Sequence, residues 1–272
     1  MLTNKDNISL WVSKLRLRAT TSMESGWFWL IVGGYLLRLL FMPITGQHDV
    51  MFMPWMAHFI TKGHLNLYAY LHERFGDVVL RGVTWAPYPY GFYALTSSWV
   101  ALLGRMGLLD VSHWDAVWEV TRPARQVFLF KLLYFPFDLA IGCLLYRAED
   151  RAQGRVAWAL WAWSPTAIYT PFMMGQNDIY VTAFMVAGAH LAARSIAPGD
   201  WMPGSGARRR NGRAIVAVLL LGVAGAFKVF PLLLLPALVP LLARRWWPRV
   251  GLLALGCTVF ALAALPFLKT PA

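Results

Sequence analysis

Asp49 closes a short polar run, Gly46-Gln47-His48-Asp49, directly after an apolar stretch. A carboxylate there, opening a long polar connection, is placed to act as a general base. It would meet a donor held in a membrane and an acceptor arriving from water or lipid. A second use of the same residue is capping the amides of a helix over residues 50–60. Residue types leave both readings open.

Three further sites carry charge or hydrogen-bonding groups where apolar residues dominate. Arg38 sits inside the first apolar run, where a cation snorkels, pairs or faces a cavity. A guanidinium also suits bidentate contact with phosphate. Lys228 opens Lys228-Val229-Phe230-Pro231 in the middle of another apolar run and needs a partner. Asp178, the last residue of Gly175-Gln176-Asn177-Asp178, is the obvious candidate, although those four residues also suit a tight turn. The aromatic stretch Trp85-Ala86-Pro87-Tyr88-Pro89-Tyr90 reads as an interface belt whose rings could also stack on sugars.

Other polar residues are less informative. Asp138, within an apolar run, needs a partner, and His190 is expected to be structural. Lys62, His64 and His72 read as a solvated group rather than a metal site. Cys143 and Cys257 lie in apolar runs with no second thiol or His at ligand spacing, so each reads as a small hydrophobe. Asp49 alone makes no metal site, and a divalent cation is left open.

The elements that must position these residues are membrane helices. Of 272 residues, 58% are hydrophobic and 14% charged, against about a quarter charged in soluble domains. Fourteen Trp and ten Tyr suit the bilayer interface. The net charge of +12 is clustered at Lys14-Arg16-Arg18, Arg208-Arg209-Arg210-Arg213 and Arg244-Arg245-Arg249. Short basic clusters between apolar runs follow the positive-inside rule and argue against nucleic-acid binding, which needs a basic face on a soluble domain.

Candidate spans are Trp27–Ile44, Tyr88–Leu109, Gln126–Tyr146, Val156–Met174, Ile179–Ala193, Ala214–Ala243 and Val250–Phe267. The first run has no small-residue cleavage pattern after it and reads as a retained span. The fold expected is all-α, a polytopic transmembrane helix bundle of about 7–8 membrane segments. Residues 1–25 form a basic cytoplasmic terminus with a surface helix near Leu10–Leu17. Residues 26–272 form the helical module, with 46–87 as a long outer loop and 195–213 as a basic cytoplasmic loop. The Ala214–Ala243 run is one tilted helix, or two short ones meeting at Lys228–Pro231. Counting every span as a full crossing puts Arg208–Arg213 outside, against its charge. One crossing is therefore miscounted, with Val156–Met174 and its two prolines a suspect.

The ordered set Arg38, Gly46, Asp49, Trp55-Met56-Ala57, Gly63, Tyr68, Tyr88-Pro89, Gly175-Gln176-Asn177-Asp178 and Lys228-Val229-Phe230-Pro231-Leu232 resembles the GT-C superfamily of membrane glycosyltransferases. The likeness is greatest to the bacterial branch that uses polyprenyl-phosphate sugars, which includes mannosyl- and arabinosyltransferases. The resemblance implies transfer of mannose or a similar hexose or pentose from a polyprenyl-phosphate carrier. The acceptor would be a hydroxyl of a glycan, lipid or protein at the outer face of the cytoplasmic membrane. It implies Asp49 as catalytic base and a substrate site drawn from Arg38, His48, Tyr88, Gln176, Asn177, Asp178 and Lys228, with Arg38 and Lys228 on the donor phosphate. Tyr90 stands where relatives commonly carry a second proline, and relatives are usually longer. A transporter or lipid flippase, and a non-catalytic fragment of a longer enzyme, are the alternatives.

Overall fold

A computed structural model describes residues 26–44, 48–83, 89–112, 123–148, 150–196 and 205–267. The basic terminus, with the expected surface helix Leu10–Leu17, lies outside the described residues. Among the described residues every regular element is helical. The helices are α1 Gly26–Phe41, α2 His48–Thr61, α3 Leu67–Val83, α4 Tyr90–Arg105, α5 Pro123–Lys131, α6 Tyr134–Ala148 and α7 Arg151–Trp163. They continue with α8 Pro165–Ile168, α9 Asp178–Ile196, α10 Ser205–Phe227, α11 Leu235–Leu242 and α12 Trp246–Ala264.

Three segments are long and apolar enough to cross a bilayer: Ala124–Arg147, Asp178–Ile196 and Trp246–Phe267. Gly26–Phe41, Asn211–Phe227 and Phe230–Leu242 are shorter apolar helices. Only 11% of the most apolar window of Trp246–Phe267 is buried within the protein, and Leu36, Leu40, Leu241 and Leu262 are all exposed. Water would not tolerate that much apolar surface, whereas lipid does. Close helix approach follows the membrane habit of small residues at contacts. A Cβ on Gly222 would stand 2.7 Å from the Gly256 carbonyl, and one on Gly91 2.8 Å from that of Ala226. Cys143 and Cys257 are free and exposed on their helices.

Prolines and caps decide where apolar runs break. The Ala214–Ala243 run is a hairpin: α10 ends at Phe227, a 3-10 turn covers Phe230–Leu234, and α11 returns. Val156–Met174 is likewise not one helix. α7 stops at Ser164, whose hydroxyl caps the Pro165-led α8, and a π-helical turn covers Tyr169–Met174. The 46–87 connection, expected as a loop, is largely helical. In α2, Met53, Trp55, Met56 and Phe59 are buried in the main core, because their apolar faces pack on α4 and α5. The basic 195–213 segment is also helical at both ends, α9 running to Ile196 and α10 starting at Ser205.

The bundle has two chemically distinct ends. At one, Arg194 donates to the Arg147 carbonyl and Arg213 to the Arg194 carbonyl. Asn211 and Ala214 share a groove there with Arg244 and Arg245. The hairpin thus brings both arginine-rich stretches to the same end, as their charge requires. At the other end Val50 abuts Gly175 and the Tyr134 hydroxyl donates to the Gly175 carbonyl. Val50 and Tyr134 therefore meet at the Gly175 turn. The suspect segment Val156–Met174 is broken at Ser164 and at Tyr169–Met174, and Tyr88–Leu109 is not among the described segments long and apolar enough to cross a bilayer.

Candidate functional site

The turn Gly175-Gln176-Asn177-Asp178 is built from below by two residues of the α5–α6 segment. Lys131, fully buried, donates from Nζ to the carbonyls of Phe172 and Met173 at 2.7 and 2.9 Å. Those carbonyls end the π-helical turn and lack partners within it. The Tyr134 hydroxyl serves the Gly175 carbonyl at 3.0 Å and Asn177 Oδ1 at 2.7 Å. Gly175 adopts φ +78°, the left-handed region glycine enters without strain. A Cβ there would meet Val50 Cβ at 2.7 Å and Lys131 Cε at 3.3 Å. Glycine is thus required twice over, by dihedral angle and by space.

Asp178 begins α9, and Lys228 follows the last residue of α10. The two side chains form an ion pair. An acid at a helix N-terminus and a base past a helix C-terminus each match the local dipole, so the helix ends favour the pair. Lys228 and Asp178 keep 33% and 38% of their side chains exposed, so a ligand can reach them. Asn177 is 6% exposed, and its Nδ2 has no hydrogen-bond partner among the described residues. Gln176 is half-buried beside it.

The structure brings together four of the expected residues or their neighbours: Gln176, Asn177, Asp178 and Lys228. His48 and Asp49 lie in the first turn of α2, two residues and one residue before Val50, so their backbone lies beside the same turn. Their side chains, and all of Tyr88, lie outside the described residues.

Arg38 is a correction. Its side chain is fully buried, with Nε 2.6 Å from Asp138 Oδ2. Its remaining nitrogens donate to the carbonyls of Gly34 at 3.1 Å, Trp161 at 3.0 Å and Ala162. Trp161 also donates to Asp138 at 2.8 Å, and the guanidinium lies 5.0 Å from the Tyr35 ring centre and 5.5 Å from that of Phe172. A guanidinium so enclosed offers a phosphate no free edge. It ties α1 to α6 and α7, directly beneath Phe172, whose carbonyl Lys131 holds.

Lys131 and Tyr134 are the site residues that sequence reasoning missed. The signal was present for Lys131, a lone charge in an apolar run like Arg38 and Asp138. Among the described residues no group of three His, Cys, Asp or Glu side chains converges as a metal site would need.

Residues 83–272 match the model of Glycosyltransferase family 87. The chain belongs to glycosyltransferase family 87. Its matched region contains Lys131, Tyr134, the 175–178 turn and Lys228, so this cluster belongs to the family's part of the chain. Asp49 and Arg38 precede it. No curated protein and no solved structure matches the chain. As a family 87 member with lipid-exposed apolar helices, it is a membrane glycosyltransferase that moves a sugar from a donor to an acceptor.

Proposed function

We propose that this family 87 enzyme transfers a glycosyl group from a polyprenyl-phosphate sugar to an acceptor hydroxyl at the outer face of the cytoplasmic membrane. The observation that carries the reading is the exposed Lys228–Asp178 pair at the bundle end opposite the arginine clusters. By the positive-inside rule the arginine end is cytoplasmic, which turns the pair outward. Lipid-linked sugars present their phosphate at that depth, where the lipid chain stays in the bilayer and the sugar reaches water.

In this mechanism Asp49, on the turn of α2 that leads into Val50, removes the acceptor hydroxyl proton. The freed oxygen pair forms the new bond to the anomeric carbon. The bond from that carbon to the phosphate oxygen breaks, and its electron pair leaves on the polyprenyl phosphate. Attack opposite the leaving group inverts the anomeric centre. Lys228 compensates the charge gathering on the phosphate, and Asp178 holds Lys228 in place. Asn177 Nδ2 and Gln176 supply hydrogen bonds to the donor. The sugar is mannose or a related hexose or pentose, and GT-C likeness rests on the ordered motifs.

The test is transfer in membranes carrying the chain, offered a panel of radiolabelled polyprenyl-phosphate sugars. Transfer from one of them, lost in Lys228→Met, supports the reading. Transfer from nucleotide sugars alone overturns the donor assignment.

A further inference from the structure

A well-formed groove lies at the arginine end, far from the candidate site. It is about 630 Å³ and sits where the end of α11 meets the starts of α10 and α12. Ile215, Leu242, Leu252 and Leu255 make its apolar wall. Arg244, Arg245 and Asn211 belong to its polar part. Sixteen residues of α10 separate Asn211 from Phe227, so the groove is about 24 Å from the Lys228 end.

We infer that this groove binds one anionic phospholipid of the surrounding leaflet, its phosphate on Arg244 and Arg245 and an acyl chain along the leucine wall. Four observations converge on that occupant. The groove joins an apolar wall to paired guanidiniums, the two halves of a phospholipid, and guanidinium binds phosphate bidentately. Residues 201–272 contain no Asp or Glu, so the charge of this segment is entirely cationic. Arg245 occupies the N-cap of α12 and makes no side-chain cap bond there, leaving the helix start to favour an anion. Trp246 and Trp247, 67% and 79% exposed, place this rim at headgroup depth, where tryptophan concentrates. The lipid would clamp α10, α11 and α12, the hairpin that carries Lys228 at its far tip. The inference rests on the membrane class alone and holds whichever sugar is transferred.

The test uses the purified full chain in detergent, titrated with dioleoyl-phosphatidylglycerol or dioleoyl-phosphatidylcholine and read by native mass spectrometry. One phosphatidylglycerol should be retained in preference to phosphatidylcholine, by about thirtyfold on the scale of two interfacial arginines. Arg244→Gln with Arg245→Gln should erase the preference while residual binding of both lipids persists. Gly251→Leu should fill the groove and remove both lipids. Gly251 lines it, and a Cβ there meets nothing within 4 Å, so the helix accepts the change. Excess inorganic phosphate should not displace the lipid. Equal retention of the two lipids by the parent, unchanged preference in the double arginine variant, unchanged retention in Gly251→Leu, or displacement by phosphate would each overturn the inference.

Discussion

Asp178, at the start of α9, and Lys228, just past the end of α10, form an ion pair that stays one-third exposed on each side. The pair is anchored by antiparallel helices but not enclosed. Arg38–Asp138, by contrast, is fully buried, so of these two pairs only Lys228–Asp178 is open to a ligand. Lys228→Met should therefore lower kcat/KM about 10²–10³-fold, the scale of removing one charge-stabilising donor. Lys228→Arg should recover part of it. Transfer at the parental rate by Lys228→Met would remove the residue from the mechanism.

Arg38 and Asp138 should behave in the opposite way. Breaking a buried pair strands a charge and costs about 3–5 kcal/mol, whereas replacing both partners with apolar residues costs far less. Arg38→Met and Asp138→Leu should each reduce the folded yield and melting temperature sharply, and the double variant should recover most of the loss. Folding of both single variants at the parental temperature would contradict the structural role.

Tyr134→Phe removes the hydroxyl shared by the Gly175 carbonyl and Asn177 Oδ1. A hydrogen bond of this kind contributes about 0.5–1.5 kcal/mol, so the melting temperature should fall by about 2–4 °C per kcal/mol. Transfer should fall further than stability, because Asn177 loses its fixed orientation. Gly175→Ala should be worse on both counts, since it meets Val50 and the left-handed backbone together. Equal stability and equal transfer in Tyr134→Phe would show that the turn does not depend on this support.

Orientation is open to single-cysteine labelling in a background lacking Cys143 and Cys257. Leu65, exposed and close in sequence to Tyr68, whose ring contacts Phe267 at 5.0 Å, marks the Lys228 end. Gln153, exposed in the first turn of α7 near Arg147, marks the arginine end. An impermeant thiol reagent should modify Leu65→Cys in intact spheroplasts and Gln153→Cys only after lysis. The reverse pattern would invert the bundle and the proposal with it.

Much of this was legible in the chain. Composition and hydropathy marked an all-helical membrane protein, and the proline after Lys228 raised the hairpin as one of two readings of that run. Two lone opposite charges in apolar surroundings made Asp178 the candidate partner of Lys228, and the structure pairs them. What hydropathy does not record is geometry beyond a single run. It could not show that Val50 and Tyr134 meet at one turn. Nor could it choose between snorkelling, phosphate and a buried partner for Arg38, since all three suit a cation in a span. Lys131 went unnoticed because its partners are backbone carbonyls, which carry no residue identity. The 46–87 connection looked like a loop because its polar residues masked the buried face of α2.

The central claim is most directly tested by Asp49→Asn, assayed for sugar transfer from polyprenyl-phosphate donors in membranes, with insertion and melting temperature measured alongside. The isosteric amide cannot accept the acceptor proton. The account predicts a parent that transfers and a variant that is inserted and equally stable but inactive. Undiminished transfer by Asp49→Asn would contradict it.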